Sequence, residues 1–303
     1  MIIIIDENDE NKRLDNFLVE ILEDYSRAKI QNFIKNGDVL VNNTVKKSSF
    51  TIKEGDKISF KIPEKEDLTI EAQNLNIEIL YEDENMLVVN KPSNMLTHPT
   101  TLERTNTLVN GLIHICGKNL STLNGEFRVG ILHRLDRNTS GLLMVAKNDK
   151  THEYLATQIK NRTITKKYRA VIKGEFKEDK KEINLPIGRS LKQPHKMAVR
   201  TDGKASITKV KILKRYTNAT YVELDLVTGR THQIRVHLSH LNHPIYNDTL
   251  YGAGTGKVHT EEQVLQSYYL KFQKPFSEEI IKIEIEPDEK IKKVINYLEN
   301  RSQ

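Results

Sequence analysis

The sequence predicts an α+β fold, in which a small N-terminal α/β module precedes a larger domain with a mixed, largely antiparallel central sheet flanked by helices and loops. The chain has 303 residues, enough for about two domains. Most of its length consists of short apolar or alternating runs typical of strands. These runs do not alternate one-for-one with helical patterns, which favours an antiparallel arrangement over a doubly wound parallel one.

The N-terminal module is predicted to span residues 1–64. Apolar residues recur at helical spacing from Leu14 to Leu22, and a second helix begins after Ser26 as its N-cap and ends at Gly37. Alternating apolar residues on both sides of Asn42-Asn43 predict short strands joined by a turn, because this pair suits positive φ angles. Residues 65–76 are polar and charged, and we expect them to be a linker to the domain at 77–303.

The larger domain contains strand and helix patterns in irregular order. Strands are predicted at residues 77–80, 86–90, 167–172, 205–213, 221–227, 269–272 and 280–285, and helices at 107–116, 149–160 and 289–298. Between them, residues 130–147 are typical of strand, loop and second strand. The start of the chain is too short and wrongly flanked for a signal peptide, and no apolar stretch reaches membrane-spanning length. We therefore expect a cytoplasmic protein.

Positive charge is concentrated in one region. Residues 1–65 hold 11 Lys and Arg against 12 Asp and Glu, whereas residues 151–240 hold 20 against 8. A regional basic excess is the pattern expected of a polyanion-binding face, although a solvated lysine-rich surface explains it equally well. The residues expected to contact RNA phosphates are Arg27, Lys29, Lys35, Lys46, Lys47, Lys166 and Lys167.

The loop at residues 133–141 carries a single carboxylate, Asp136, between Arg134 and Arg137. An Asp beside an Arg in a turn more often caps its own backbone than performs chemistry. However, neighbouring guanidinium groups favour the ionised form of a carboxylate and hold it in place. A nucleophile or base is therefore the functional interpretation of Asp136.

Several other chemistries are disfavoured. The sequence has no Gly-x-Ser-x-Gly elbow. Residues 252–257 look like a phosphate-binding loop, but Tyr251 replaces the first required glycine and Val258 stands where Ser or Thr should bind magnesium. The histidines at 232, 237, 240 and 243 do not have zinc-ligand spacing, and Cys116 is the single cysteine. We therefore expect no metal and no nucleotide cofactor.

Four sequence blocks resemble the RluA family of pseudouridine synthases. The signature block is His133-Arg134-Leu135-Asp136-x-x-Thr139-Ser140-Gly141. Asn90-Lys91-Pro92 through His98-Pro99 resembles the first block of the family, and Lys167-Tyr168 with Ala170 resembles the intermediate block. The last block is resembled by Thr228 through His237, with Gly229-Arg230-Thr231-His232-Gln233-Ile234-Arg235, and continues to His243-Pro244 and Asp248. The likeness covers about residues 77–285. It implies the pseudouridine synthase fold and RNA uridine isomerisation. The front module is similar to the small RNA-binding module named after a ribosomal small-subunit protein.

The resemblance also implies residue roles. Asp136 would be the nucleophile, Tyr168 would stack on the target uracil, and Arg235 would pair with Asp136. Arg134 would fill the space left by a flipped uridine, and Arg230, His232 and Gln233 would bind substrate. Attack on the sugar and attack on the uracil ring both remain open.

The partner implied by the resemblance is RNA, either ribosomal RNA or a ribosomal precursor particle, and a monomer is the default expectation. Two alternatives remain: a tRNA-directed synthase, and an RNA-binding assembly factor that has lost its chemistry. The second is motivated by two departures from the family pattern, Asn94 in place of a glycine and Gln266 in place of a histidine. Asn tolerates left-handed backbone angles, so we expect the loop at Asn94 to be preserved.

Overall fold

A computed structural model describes residues 2–7, 9–22, 25, 27–61, 69–252, 258, 260 and 262–301. Ser26, part of the expected linker and residues 253–257 of the glycine-rich loop lie outside these ranges. The chain divides into two compact units, Met1–Leu68 and Thr69–Gln303. No helix in the described part of the chain is long and apolar enough to cross a membrane.

The N-terminal unit packs two helices on a small sheet. Its elements are α1 (Leu14–Ile21), α2 (Arg27–Asn36), β1 (Ile2–Ile4), β2 (Val39–Val41) and β3 (Lys57–Phe60). The strands form an antiparallel sheet in the order β1-β3-β2. Gly37, at φ +84°, follows α2 directly, and Asn42 and Asn43 adopt φ +52° and +64° in the turn after β2. The positive φ angles predicted for Asn42 and Asn43 are therefore present, and α2 ends at Gly37 as predicted.

The second unit contains one large sheet and a separate antiparallel two-stranded sheet formed by Ile187–Arg189 and Met197–Val199. Its strands are β4 (Glu78–Glu82), β5 (Met86–Lys91), β6 (Ser140–Ala146), β7 (Thr165–Lys173), β8 (Lys180–Asn184), β9 (Ile187–Arg189), β10 (Met197–Val199), β11 (Ile207–Tyr216), β12 (Ala219–Leu226), β13 (Leu265–Gln273) and β14 (Ile280–Glu284). Its α-helices are α3 (Leu108–Cys116), α4 (Asp149–Lys160), α5 (Gln233–His240) and α6 (Glu289–Glu299).

The strand order of the large sheet is β4-β5-β6-β13-β7-β12-β11-β8, with β14 also pairing with β13. The β6–β13 pair is parallel, and the other pairs in the described sheet are antiparallel. This confirms the predicted α+β class with a mixed, largely antiparallel sheet. At the parallel junction Gly141 has φ +115°, and a Cβ there would overlap the backbone of Ser267. The close approach of β6 to β13 therefore requires glycine.

Two sequence expectations need correction. The apolar lead-in at 130–132 is not a strand, because Ile131 makes only an isolated bridge with Val145. The strands β8, β9 and β10 were not predicted. In β8 a single core residue, Ile183, is buried among charged neighbours, so the segment has little apolar alternation, and its pairing with β11 forms the strand.

Candidate active site

The loop that carries Asp136 enters β6 through a short turn, in which the amide of Thr139 donates to the carbonyl of Asp136 at 3.1 Å. Leu135, next to Asp136, is buried in the core. Thr97 fixes the backbone of Leu135 on both sides, since its hydroxyl donates to the Leu135 carbonyl at 2.8 Å and lies 3.3 Å from the Leu135 amide. The position of Asp136 is therefore set by the core and by residues about forty positions earlier.

A buried lysine also contacts the loop that carries Asp136. The ammonium of Lys91 donates to the carbonyls of Pro92, Met95 and Arg137 at 2.7, 2.8 and 3.0 Å. Burial, reinforced by the positive charge of Lys290, lowers the pKa of Lys91 to about 7. Burial of an amine is costly unless its donors are satisfied, and these carbonyls satisfy the donors of Lys91. Since the carbonyls belong to two loops, Lys91 connects the 92–95 loop to the loop that carries Asp136.

The Asp136 carboxylate is held by a buried arginine. Arg235, on α5, donates from Nη1 to Oδ2 of Asp136 at 3.0 Å. Its other two donors, Nε and Nη2, contact Oδ2 and Oδ1 of Asp248 at 2.7 and 2.9 Å. Asp248 is 1% exposed and Arg235 is 7% exposed. Burial acts to lower the pKa of Arg235, but hydrogen bonds to Asp248 offset it and the pKa is raised. Asp248 therefore orients the guanidinium that orients Asp136.

Asp136 faces a cleft of about 510 Å³ between the 132–139 loop, the end of α4, β7 and the 226–235 segment. Tyr168, 5% exposed on β7, and Arg235 line the same cleft. Burial raises the pKa of Tyr168, so its hydroxyl stays protonated at neutral pH. The three residues that the resemblance makes catalytic thus converge on one cleft.

Cations surround the cleft. Among its described lining residues Asp136 is the one carboxylate, while the basic side chains are Arg134, Lys160, Arg162, Lys166, Arg230 and Arg235. Lys160 and Arg162 were not singled out from the sequence, because basic residues are common in the last turn of any helix. This charge distribution suits a polyanionic ligand whose reacting group is presented to Asp136.

The sequence comparisons identify the family. Residues 85–240 match the RNA pseudouridylate synthase model, and residues 12–58 match the S4 domain model. The chain is 41% identical over 292 residues to an uncharacterized RNA pseudouridine synthase of Bacillus subtilis (strain 168), YlyB, covering 96% of each protein. The chain belongs to the RNA pseudouridylate synthase family. It is an isomerase that converts RNA uridine to pseudouridine, with an S4 RNA-binding module at its N-terminus.

Two further relatives extend this result. The synthase is 39% identical over 284 residues to the ribosomal large subunit pseudouridine synthase D of Neisseria meningitidis serogroup B, covering 90% of this chain and 75% of that protein. Among solved structures, human RNA Pseudouridylate Synthase Domain Containing 1 aligns with a TM-score of 0.56 and 27% identity, covering 71% of this chain and 85% of that chain. Both the recognised family and the predicted fold are thereby confirmed.

The side chains of the predicted substrate-binding residues of the synthase differ in whether they can contact a ligand in the cleft. Arg134 and Arg230 are exposed at the cleft. The side-chain amide of Gln233 is instead occupied by the protein, since its oxygen accepts from Thr228 and from the Arg230 amide at 2.8 and 3.1 Å and its nitrogen donates at 3.0 Å to the carbonyl of Ile207. Gln233 therefore shapes the loop that presents Arg230 to the cleft.

Adjacent lysines on β7 face opposite sides of the sheet. Lys166 lines the cleft beside Tyr168, and burial lowers its pKa. Lys167 instead lies 3.1 Å from Glu223 and stacks over the Tyr269 ring. This follows from the two-residue period of a strand. The structure thus places Lys166, but not Lys167, at the cleft.

In the S4 unit the predicted RNA-contacting cations are at the surface: Arg27, Lys29, Lys35 and Lys47 are exposed, and Lys46 is half-buried. Arg27 has a structural contact as well, because it donates at 3.0 Å to the fully buried carboxylate of Asp15. Hydrogen bonding from Arg13, against burial, holds the pKa of Asp15 well below its ordinary value. Arg27 therefore contributes to packing α1 on α2.

The residues that depart from the family pattern fit their surroundings. Asn94 adopts φ +58°, the left-handed angle expected for the glycine it replaces. Gln266 is 2% exposed, donates to the carbonyl of Glu286 at 3.1 Å and accepts from the amide of Asp288 at 3.3 Å. Neither residue lines the cleft.

The clustered histidines have separate partners rather than a common centre. His237 lies 2.9 Å from both the Thr208 hydroxyl and the Leu185 carbonyl, and His243 lies 2.9 Å from the Lys173 carbonyl. In the signature loop, burial and the nearby Lys166 charge lower the pKa of His133 to about 3, and its Nε2 accepts from the amide of Met144 at 3.1 Å. His133 is therefore a neutral residue that fixes the loop to β6.

Proposed function

We propose that this synthase isomerises specific uridines of large-subunit ribosomal RNA, using Asp136 as a nucleophile on a uridine flipped out of its stack. The observation that carries the proposal is the Asp136–Arg235 pair, at 3.0 Å, in a cleft lined by cations. A buried guanidinium that contacts one oxygen of a carboxylate holds the group in a fixed orientation and leaves its second oxygen directed at the cleft, an arrangement that suits a nucleophile.

The shape of the site supports the proposed base flipping. The cleft is enclosed by loops and a sheet, and a uridine stacked in RNA cannot bring its glycosidic carbon to Asp136. Extrusion of the nucleotide costs roughly a few kcal/mol. Stacking of the uracil on the Tyr168 ring offsets about 1–3 kcal/mol of that cost. Arg134, exposed at the rim, occupies the vacated position in the RNA.

The reaction needs no redox change. Asp136 attacks the bound nucleoside, the bond between ribose and N1 of uracil breaks, and the detached uracil turns within the cleft. Its C5 then bonds to the ribose as Asp136 is released with the electron pair of its bond to the substrate, the C5 proton is lost to solvent or to a nearby base, and N1 takes up a proton. Atoms are conserved between uridine and pseudouridine, so positioning and charge stabilisation are the contributions required of the protein.

Ribosomal RNA is the proposed substrate because two features point to it. The chain carries an S4 module with exposed cations, and such phosphate contacts position RNA without reading its sequence. In addition, relatives of 36–39% identity carry the name ribosomal large subunit pseudouridine synthase D. Selection of the uridine then depends on RNA shape and on single-stranded segments that can enter the cleft.

A pseudouridine map of total RNA, compared between cells with and without the gene, tests the substrate. We expect one or a few large-subunit sites to disappear, and to return when the wild-type gene is restored. Sites that disappear only from tRNA would show that tRNA, and not ribosomal RNA, is the substrate. An unchanged map accompanied by defective ribosome assembly would contradict the proposed reaction and favour an assembly role.

A further inference from the structure

Tyr251 and His232 form a pair beside Asp136. The Tyr251 hydroxyl accepts from the amide of Met197 at 3.0 Å and lies 2.7 Å from Nδ1 of His232. Since a lone pair of this hydroxyl is already used by an N–H donor, its own proton is available for Nδ1. When the hydroxyl donates to Nδ1 of His232, that nitrogen is unprotonated and the ring proton lies on Nε2.

The other ring nitrogen of His232 faces the reacting carboxylate. Nε2 lies 3.9 Å from Oδ1 of Asp136, the oxygen that Arg235 does not contact. A bare Nε2 would direct its lone pair at a carboxylate oxygen, whereas an N–H there is attractive. Burial lowers the pKa of His232, which keeps the ring neutral. Both neighbours therefore favour the same neutral tautomer, with the proton on Nε2.

The backbone at His232 adopts a sparsely populated conformation. His232 has φ +55° and ψ +18° immediately before α5, a left-handed conformation that residues with side chains seldom adopt. Such conformations persist where the surrounding structure over-determines them, often at functional sites. Tyr251 is itself anchored, because its amide lies 3.2 Å from Asp248 and its carbonyl accepts from Ser239 at 2.7 Å.

We propose that Tyr251 fixes His232 as a neutral Nε2–H donor for the second oxygen of Asp136, and that this hydrogen bond stabilises Asp136 as it leaves the nucleoside as a carboxylate. The inference rests on the proposed nucleophilic role of Asp136. When the bond between Asp136 and the substrate carbon breaks, its electron pair returns to the carboxylate. His232 keeps its proton and contributes a hydrogen bond, which forms after an approach of about 1 Å.

In this arrangement His232 contacts the reacting group, and Tyr251 is a positioning residue that acts through it. Removing the Tyr251 hydroxyl should therefore slow the chemical step without weakening RNA binding. Tyr251→Phe is suited to this test because it retains the ring that lies 5.0 Å from the Arg235 guanidinium carbon. A contribution typical of one hydrogen bond predicts a decrease of about tenfold in the single-turnover rate.

The experiment combines kinetics with a direct measurement of the tautomer. Full-length protein with ¹⁵N-labelled histidine gives the protonation of each His232 nitrogen by NMR. We expect the Nε2–H form in the wild type, and a mixture with the Nδ1–H form in Tyr251→Phe. His232→Gln, which retains an amide N–H at a similar reach, should keep more activity than His232→Met, which has no donor. Tyr154→Phe, a ring packed on Phe276 away from the cleft, is the control.

The outcomes separate this inference from the proposed function. An Nδ1–H tautomer in the wild type, or an unchanged rate and tautomer in Tyr251→Phe, would overturn the role of this pair. Equal activity of His232→Gln and His232→Met would also contradict it. If the wild-type protein forms no pseudouridine in RNA that it binds, the proposed function and the role of this pair are both overturned, whereas an active wild type with an unchanged Tyr251→Phe overturns the role of the pair alone.

Discussion

Arg235 joins two carboxylates, donating through Nη1 to Asp136 at 3.0 Å and through Nε and Nη2 to Asp248 at 2.7 and 2.9 Å. A lysine keeps the charge but cannot span both acids. We therefore expect Arg235→Lys to lower the free energy of unfolding by about 3 kcal/mol. Displacement of Asp136 by even about 1 Å should slow single-turnover conversion about 100-fold.

Urea unfolding and single-turnover assays measure the two effects of Arg235→Lys separately. Arg169→Lys is the matched control, since Arg169 is also 7% exposed but donates to the carbonyl of Ile285, outside the cleft lining. The control should lose stability while keeping its rate per folded molecule. A similar loss of rate in both variants would contradict the role assigned to Arg235.

Tyr168 is predicted to act through its ring. Tyr168→Phe retains the stacking face, so RNA binding should stay within about twofold of wild type, whereas Tyr168→Leu should weaken it by about 1–3 kcal/mol. Filter-binding titrations with a uridine-containing RNA fragment check both values. Equal affinity of the Leu and Phe variants would show that no base stacks on this residue.

The cations of the cleft should be visible in the salt dependence of RNA binding. Removing one cation that neutralises a phosphate should reduce the slope of log affinity against log salt by about 0.7 for single-stranded RNA. We expect this reduction for Lys160→Met, Arg162→Met and Lys166→Met. Lys167→Met should change the slope less, because its ammonium is paired with Glu223. Equal slopes for Lys166→Met and Lys167→Met would contradict the conclusion that Lys166 lies at the cleft and Lys167 does not.

His133 predicts a specific loss of stability in acid. Its pKa is about 3 in the folded protein and 6.5 ordinarily, so below pH 6.5 the unfolded chain binds a proton that the folded chain does not. Above the ordinary pKa this difference in proton binding does not lower stability. As the pH falls from there towards 3, it lowers the free energy of unfolding by up to about 1.4 kcal/mol per pH unit. Between about pH 7 and about pH 5.5, wild type should lose roughly 1 kcal/mol more than His133→Gln. Urea unfolding measures both changes, and an equal change in the free energy of unfolding in wild type and variant between the two pH values would refute this.

The sequence was informative where a local pattern determines the structure. The helices α3 and α4 and the strand β5 have strong apolar patterns, and they lie within a residue or two of their predicted bounds. β8 could not be found in this way, because its neighbour β11 determines its formation. Ile131 likewise has the composition of a strand residue but makes only one bridge.

The site shows the same limit. Asp136, Tyr168 and Arg235 could be named from motif blocks, and they do share one cleft. The contacts that hold them could not, because they join segments far apart in sequence: Arg235 to Asp248, and Lys91 to the Arg137 carbonyl. No local spacing encodes such contacts. Lys91 and Asp248 both lie in sequence blocks that resemble the family, but neither block indicates which groups these side chains contact.

The central claim is tested most directly by Asp136→Asn, with RNA binding and pseudouridine formation measured separately. The amide is nearly isosteric with the carboxylate but is a poor nucleophile. We expect RNA affinity within about threefold of wild type, and pseudouridine formation reduced by at least about 10⁴-fold. Pseudouridine formed by the variant at the wild-type rate would contradict the nucleophilic role of Asp136.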